Sequence, residues 1–301
     1  MTAHNNGRPG GGSATGLNVA VVQMNSQDDK RANIAAALNL IDRAAATGAR
    51  LVALPEVWPY LGPDDMSRDQ AETIPGPITE LLAQRARQHG IYVHGGSIYE
   101  MRPGDPGMYN TAVVIDPTGD IIARYSKIHM YDVVLDGVAK FQESATVTPG
   151  AEIAAVTEID GIPVGLTICY DLRFPELFRI LALKGAQAIL LPAAFTLMTG
   201  KDHWETLIRA RAIENQLYMI APAQWGTHPP GNWCYGRSMI VDPWGTVVTT
   251  ATDGVGFAQA TVDPSRVAAV RRQIPSLTNR RPEAYAWPEE SRSLATGRIA
   301  L

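Results

Sequence analysis

The chain has 301 residues, 46% of them hydrophobic and 19% charged, and a formal net charge of −4. That composition supplies a large core and excludes overall disorder. The charge gives no electrostatic basis for binding nucleic acid or an anionic membrane, and the only basic clustering, Arg271-Arg272 and Arg280-Arg281, is short. Two cysteines cannot make a disulfide framework and point to a reducing compartment or to indifference to redox.

The first sixteen residues, MTAHNNGRPGGGSATG, carry no apolar targeting core and read as a flexible leader. No apolar run approaches the length of a membrane span. The expectation is a soluble cytoplasmic protein. LNVAVVQM (17–24) predicts a buried strand. The spacing of Ile34, Leu38, Ile41 and Ala45 predicts a helix ending near Gly48. LVALP (51–55) is a second buried strand, and ITELLAQRARQHG a helix ending at Gly90. IYVHGGSIYE, TAVVIDPTGDIIARYSK and EIAAVTEIDGIPVGLTI supply further strands. The last two carry hairpin turns at Asp116-Pro117-Thr118-Gly119 and Asp160-Gly161.

The second half repeats the theme. A helix from Pro175 to Lys184 leads to the strand AQAILLP, and a helix from Asp202 to Asn215 leads to LYMIAPA. Asp202 with Glu205 three residues later predicts a capping box at the start of the second helix. RSMIVDPWGTVVTTA is a third hairpin, VGFAQATVD a strand, and PSRVAAVRRQI a short helix with Pro264 near its start. Alternating strands and helices with hairpins between them predict an α/β fold with a mixed sheet, or two sheets with helices outside. No linker divides residues 17–273, which read as one domain. The remainder, 274–301, is irregular, carries Tyr285 and Trp287, and is expected to be partly solvated or to pack on another subunit.

Three apolar strands run directly into a polar residue. LVALPEVW delivers Glu56, IIARYSKIHMYD delivers Lys127 and VGLTICYD delivers Cys169. Carboxyl ends of strands are where α/β sheets gather ligand-handling groups. A free cysteine is most often core filler. Cys169, however, sits at a strand end, and a following helix N-terminus or a nearby lysine would lower its pKa. Glu56 reads equally as an exposed capping carboxylate, and Lys127 alone as an ordinary solvated lysine. His129 shares a strand face with Lys127 and stays a candidate base for a Cys–His dyad. Cys234, in the Pro/Gly-rich loop PPGNWCYG, reads as incidental. There is no zinc-ligand spacing, no phosphate-binding P-loop and no dinucleotide fingerprint, and Gly10–Gly12 precede every predicted strand.

LPEVW, YSKIHMYD and GLTICYDLRFPELFR, in this order and approximate spacing, resemble the three signature segments of the nitrilase superfamily of carbon–nitrogen hydrolases, with a fourth match at KFQESATVTPG. The resemblance runs from about Leu17 to Tyr285. It implies a four-layer α-β-β-α sandwich with two mixed sheets and helices outside. It implies Cys169 as nucleophile, Glu56 as general base, Lys127 as oxyanion stabiliser and Glu143 as an accessory carboxylate. The backbone N–H of Tyr170 would share the oxyanion, and no metal or organic cofactor would be required. Subunit pairing as a homodimer or higher oligomer, through the helices at 175–184 and 202–215, is also implied.

Tyr170-Asp171 stands where true nitrilases usually carry Trp-Glu, which favours an amidase. CYDLRFPEL, TGKDHWETLIRARAIENQ and GRSMIVDPWGTVV resemble the branch that contains omega-amidases and deaminated-glutathione amidases. That branch implies a small carboxylate-bearing amide as substrate, with Arg173 as a candidate carboxylate clamp and Phe195 and Thr196 as further substrate-binding candidates. The alternative reading of Arg173 is a structural pairing with Asp171 or Glu176. APAQWGTHPPGNWCYG departs from the branch's pattern, and Trp225, His228 and Trp233 are candidates for reshaping the pocket. N-carbamoyl amino acid hydrolase, aliphatic amidase and nitrilase chemistry stay open on that ground, as does a non-catalytic binding scaffold.

Overall fold

The computed structural model describes residues 16–135 and 139–284. The leader up to residue 15 and the tail from Tyr285 on, including Trp287, lie outside the described residues, and with them the expected tail contact to another subunit. Strand β1 (Leu17–Met24) matches its apolar run residue for residue. Helix α1 (Lys30–Ala46) is capped by Asp29, whose side chain accepts from the Ala32 N–H at 3.0 Å. After β2 (Leu51–Ala53), α2 (Pro77–His89) starts on a proline and stops at Gly90 in the left-handed region. Then come β3 (Tyr92–Met101), β4 (Met108–Ile115) and β5 (Ile121–Ser126). A small ribbon, β6 (Asp132–Leu135) with β7 (Ala139–Gln142), stands apart. The second half holds β8 (Thr157–Ile159), β9 (Ile162–Leu166), α3 (Pro175–Leu183), β10 (Ala188–Leu190), α4 (Leu197–Thr199), α5 (Glu205–Asn215) and β11 (Tyr218–Ala221). It continues with β12 (Ala223–His228), β13 (Asn232–Tyr235), β14 (Met239–Val241), β15 (Val247–Thr250), β16 (Gly256–Val262) and α6 (Pro264–Gln273).

One sheet runs β13-β12-β1-β2-β3-β4-β5, with β16 also paired to β1. The other runs β15-β14-β11-β10-β9-β8. Both mix parallel and antiparallel pairs. Side chains alternate across a strand, and here the alternation separates two cores. Val19, Val21, Leu51, Ala53, Ala112 and Val114 pack toward the second sheet, against Val164, Leu166 and Leu190. Their neighbours Ala20, Val22, Val52 and Val113 pack on Leu40, Ile41 and Leu82 of α1 and α2. Helices α3 and α5 cover the far side of the second sheet through residues such as Phe178, Leu181 and Ile208. The order is therefore α-β-β-α. Strands buried on both faces lose the polar alternation of a half-exposed sheet, which is why these segments read as continuous apolar runs.

Two expectations are corrected. Asp202 caps nothing: the chain is already helical from Leu197, passes a π-type turn over Gly200–Trp204 and enters α5 at Glu205. The Gly200 N–H is bonded to the Thr196 carbonyl at 2.8 Å, so the orphan donors of this helix start lie upstream of Asp202. The buried Trp204, whose Nε1 donates to the Arg237 carbonyl at 2.9 Å, anchors the turn in the core. Second, PPGNWCYG is not a loop throughout, because Asn232–Tyr235 is strand β13. Pro229-Pro230-Gly231 closes a hairpin, and the register runs from Trp225–Tyr235 to His228–Asn232.

Candidate active site

Glu56 leaves β2 in a turn that is held from β3. The register of β3 shifts at Gly95-Gly96, where the strand bulges toward the turn. There the Trp58 Nε1 donates to the Gly95 carbonyl at 2.7 Å, the Ser97 N–H to the Pro55 carbonyl at 3.2 Å, and the Val57 N–H to Ser97 Oγ at 3.1 Å. Gly96 has φ +59, and a Cβ there would run into the Pro55 carbonyl oxygen, so only glycine lets the two backbones approach this closely. Val57, directly after Glu56, itself sits at φ +41.

Lys127 follows β5 and is pinned on both sides: its N–H donates to the Asn110 carbonyl at 2.9 Å, and its carbonyl accepts from Gly150 at 2.7 Å. Cys169 opens a tight turn, Cys169–Arg173, three residues past β9, at φ +43. Asp171 holds that turn. Its fully buried carboxylate accepts from the Ile168 N–H at 2.8 Å and the Tyr125 hydroxyl at 2.7 Å, and meets His129 Nδ1 at 2.7 Å. His129 stacks flat on Phe174, ring centroids 3.6 Å apart. A carboxylate on His129 Nδ1 would still leave Nε2 to act as a base, but the side chains that act on the Cys169 thiol are Glu56 and Lys127, not His129.

The strand ends converge. Lys127 Nζ donates to Glu56 Oε1 at 3.0 Å and to Glu143 Oε1 and Oε2 at 3.0 and 2.8 Å. Glu56, Lys127 and Cys169 are 4%, 2% and 7% exposed, so Glu56 is no surface cap and Lys127 no solvated lysine. Glu143 enters from the end of β7 and accepts from the Tyr131 N–H at 2.7 Å. Two donors to this cluster were missed in the sequence. Asn110 Nδ2, on β4, donates to Glu56 Oε1 at 3.0 Å and reaches Glu143 Oε1 at 3.4 Å; the Ala194 N–H donates to Glu56 Oε2 at 2.8 Å. Asn110 had a signal, a polar residue inside the apolar run MYNTAVVI. The amide of Ala194 has none, because every residue carries one.

Charge balance sets the proton positions. Burial alone would push the Lys127 ammonium down, but the two carboxylates outweigh it and hold its pKa well above the ordinary lysine value. The Cys169 thiol goes the other way from expectation. Burial, then the negative charge of Glu56, push its pKa well up, against the opposing pull of Lys127. The direction of both effects favours a neutral thiol beside the Glu56 carboxylate in the resting state.

The cluster forms one wall of a pocket of about 150 Å³. Tyr170, Phe195 and Thr196 line it. Arg173 flanks it: its guanidinium lies 5.1 Å from the centroid of the Phe195 ring and 5.9 Å from that of Tyr170. Arg173 pairs with neither Asp171 nor Glu176; its nearest polar partner is His203 Nδ1 at 3.3 Å. Of the three residues singled out in the β12–β13 hairpin, His228 and Trp233 line the pocket, while the Trp225 indole lies against Gly236. Cys234, read as incidental, is buried on β13 and also lines the pocket. Among the described residues no three His, Cys, Asp or Glu side chains cluster as metal ligands, and no helix is long and apolar enough to cross a membrane.

The strand ends of this sandwich deliver a carboxylate, an ammonium and a thiol to one pocket, and the chain belongs to the carbon–nitrogen hydrolase family, whose model matches residues 18–272. It is 42% identical to a deaminated glutathione amidase of Synechocystis sp., over 87% of this chain and 97% of the relative. It is 37% identical to an omega-amidase of Danio rerio, over 89% of this chain and 96% of the relative. Saccharomyces cerevisiae Nit3, described as a member of branch 10 of the nitrilase superfamily, superposes with a TM-score of 0.77 at 33% identity, covering 86% of this chain and 94% of that one.

Proposed function

We propose that the protein is an amidase that hydrolyses the terminal C–N bond of a small carboxylate-bearing amide to an acid and ammonia through a thioester. The observation that carries this is the single hydrogen-bonded cluster joining Glu56, Lys127 and Glu143 beside the Cys169 thiol. Cys169 Sγ attacks the amide carbonyl carbon as its proton passes to Glu56 Oε. The carbonyl oxygen becomes an oxyanion, held by Lys127 Nζ and the Tyr170 N–H. The intermediate collapses, the C–N bond breaks, and ammonia leaves with the proton from Glu56. Water then gives a proton to Glu56 and attacks the thioester; the C–S bond breaks, the acid departs and the thiol is restored. Glu143, saturated by Lys127 and the Tyr131 N–H, orients the ammonium and takes no proton. A raised thiol pKa suits this scheme, because thiolate forms only when a carbonyl is there to receive it.

Arg173 has no carboxylate partner among the described residues and borders the pocket, so it is free to take the substrate's carboxylate in its planar fork. The names of the relatives, deaminated glutathione amidase and omega-amidase, support an amide of this kind. We take residues 17–273 as one hydrolase unit. Exposed Ile180, Leu183 and Ile213 on α3 and α5 support pairing of two copies there, and sedimentation tests it. A reducing, cytoplasmic setting suits a free catalytic thiol.

The test is ammonia release from a panel of dicarboxylate monoamides, with matched nitriles and N-carbamoyl amino acids, for wild type and Cys169→Ala. Release from monoamides that vanishes with Cys169 is expected. Equal activity in both proteins rejects the nucleophile, and preference for a nitrile or carbamoyl substrate rejects the amidase reading.

A further inference from the structure

Among the described residues, two buried acceptors of the pocket lining have no hydrogen-bond partner: Asn110 Oδ1, within the charged cluster, and His228 Nε2. His228, at the end of β12, is 1% exposed and lines the pocket. Its Nδ1 lies 2.6 Å from the Ser26 carbonyl oxygen. A carbonyl only accepts, so Nδ1 carries the hydrogen. Burial holds the ring's pKa below the ordinary histidine value, which keeps it neutral. A neutral imidazole with hydrogen on Nδ1 leaves Nε2 as a bare acceptor. That Nε2 is buried and has no hydrogen-bond partner among the described residues.

The ring is not free to turn away from this arrangement. Ser26 is itself locked: its hydroxyl donates to the Trp58 carbonyl at 2.8 Å and accepts from Gln224 Nε2 at 2.9 Å. Its N–H donates to Gln224 Oε1 at 3.1 Å. The Gly231 N–H closes the hairpin onto the His228 carbonyl at 2.7 Å, fixing the backbone as well. A buried acceptor left empty is costly and uncommon in a native fold. With Nδ1 committed to Ser26, the ring edge that bears Nε2 is the one left for an occupant of the pocket.

We infer that His228 Nε2 accepts a hydrogen bond from a hydroxyl or N–H on the acyl part of the substrate. This rests on the amidase reading and narrows it. Arg173 supplies donors and selects an acceptor, the carboxylate; His228 supplies an acceptor and selects a donor. The substrate class is then an amide whose acyl chain bears both a carboxylate and an O–H or N–H group, rather than a plain hydrocarbon chain between amide and acid. A site built to bond a substrate hydroxyl or amide rejects the analogue lacking it far more strongly than an apolar pocket distinguishes one methylene.

The experiment compares kcat/KM for pairs of carboxylate-bearing amides that differ only by hydroxyl against methyl, or N–H against CH2, at each position along the chain. At one position the wild type should favour the donor by roughly tenfold or more. In His228→Phe that ratio should fall to within about twofold, and His228→Gln, which keeps an acceptor, should recover part of it. The ratio is the readout because loosening of Ser26 in the variants slows both members of a pair alike. No donor preference at any position, or a preference that survives in His228→Phe, overturns the inference while leaving the amidase intact. Absence of ammonia release from every amide overturns both.

Discussion

Raising the pH should separate wild type from Cys169→Ser in a way that reports the thiol's proton directly. An unfolded cysteine titrates near 8.5. In the fold, burial and then Glu56 hold the Cys169 thiol well above its ordinary value. A thiol whose folded pKa lies above the unfolded one contributes stability that is fully present below about 8.5 and is lost as pH rises toward the folded value. The slope is about 1.4 kcal/mol per pH unit. Between pH 8.5 and 10 the loss is about 2 kcal/mol, or about 4 °C in melting temperature for a chain of this size. Serine does not titrate in this range. Lys127, whose pKa is also raised, keeps its charge below about 10.4 and does not interfere. Melting temperatures at half-unit pH steps should therefore show a difference between the two proteins that is flat from pH 6.5 to 8 and then moves against the wild type by about 4 °C at pH 10. Iodoacetamide labelling of the wild type should climb through the same range without levelling off. A difference that stays flat to pH 10, or labelling that saturates below pH 8, would refute the protonated resting thiol.

Lys127→Met, nearly isosteric, leaves the buried Glu56 carboxylate and the half-buried Glu143 carboxylate without their shared cation. Stability should fall by about 3–5 kcal/mol in chemical denaturation, and kcat by about 10²–10³ through the lost oxyanion donor. Asn110→Ala removes a donor shared by Glu56 and Glu143; a charged hydrogen bond of about 1.5–3 kcal/mol predicts a kcat loss of about 10–150-fold, and a loss under threefold in steady-state assays would deny Asn110 that role. Arg173→Ala should raise KM for carboxylate-bearing amides by tenfold or more, as lost charge-assisted hydrogen bonds require, and leave KM for an uncharged amide unchanged. An equal rise for both would return Arg173 to a structural role beside His203. Gly96→Ala should destabilise the fold by more than about 1 kcal/mol, since its backbone conformation and the Pro55 carbonyl both exclude a side chain, and should lower kcat as well because the Glu56 turn shifts.

The architecture was legible because its strands are buried twice over. β1 and β4 announce themselves as apolar runs, since one face meets helices and the other a second sheet. The three chemical residues were legible for the same reason, each breaking such a run at its end. What stayed hidden depends on partners remote in sequence. Nothing near Asp202 says that the helix has begun five residues earlier, because Trp204 is held by Arg237, 33 residues on. Pro229-Pro230-Gly231 suggests a loop until the strands on either side are seen to pair. The thiol's proton could not be read at all: an ammonium and a carboxylate both approach Cys169, and only burial and distance decide which prevails.

The backbone at Cys169 has a consequence for selection in the laboratory. Cys169 and Val57 both hold positive φ without being glycine, a conformation that costs of order 1–3 kcal/mol each. Glycine at position 169 would relieve that strain and delete the sulfur in one step. A screen that rewards heat resistance alone would therefore enrich glycine at position 169, and with it proteins that have lost the proposed nucleophile, and would also favour changes at Val57, next to Glu56. Stabilising campaigns on this scaffold need an activity gate, or a library that holds Val57 and Cys169 constant.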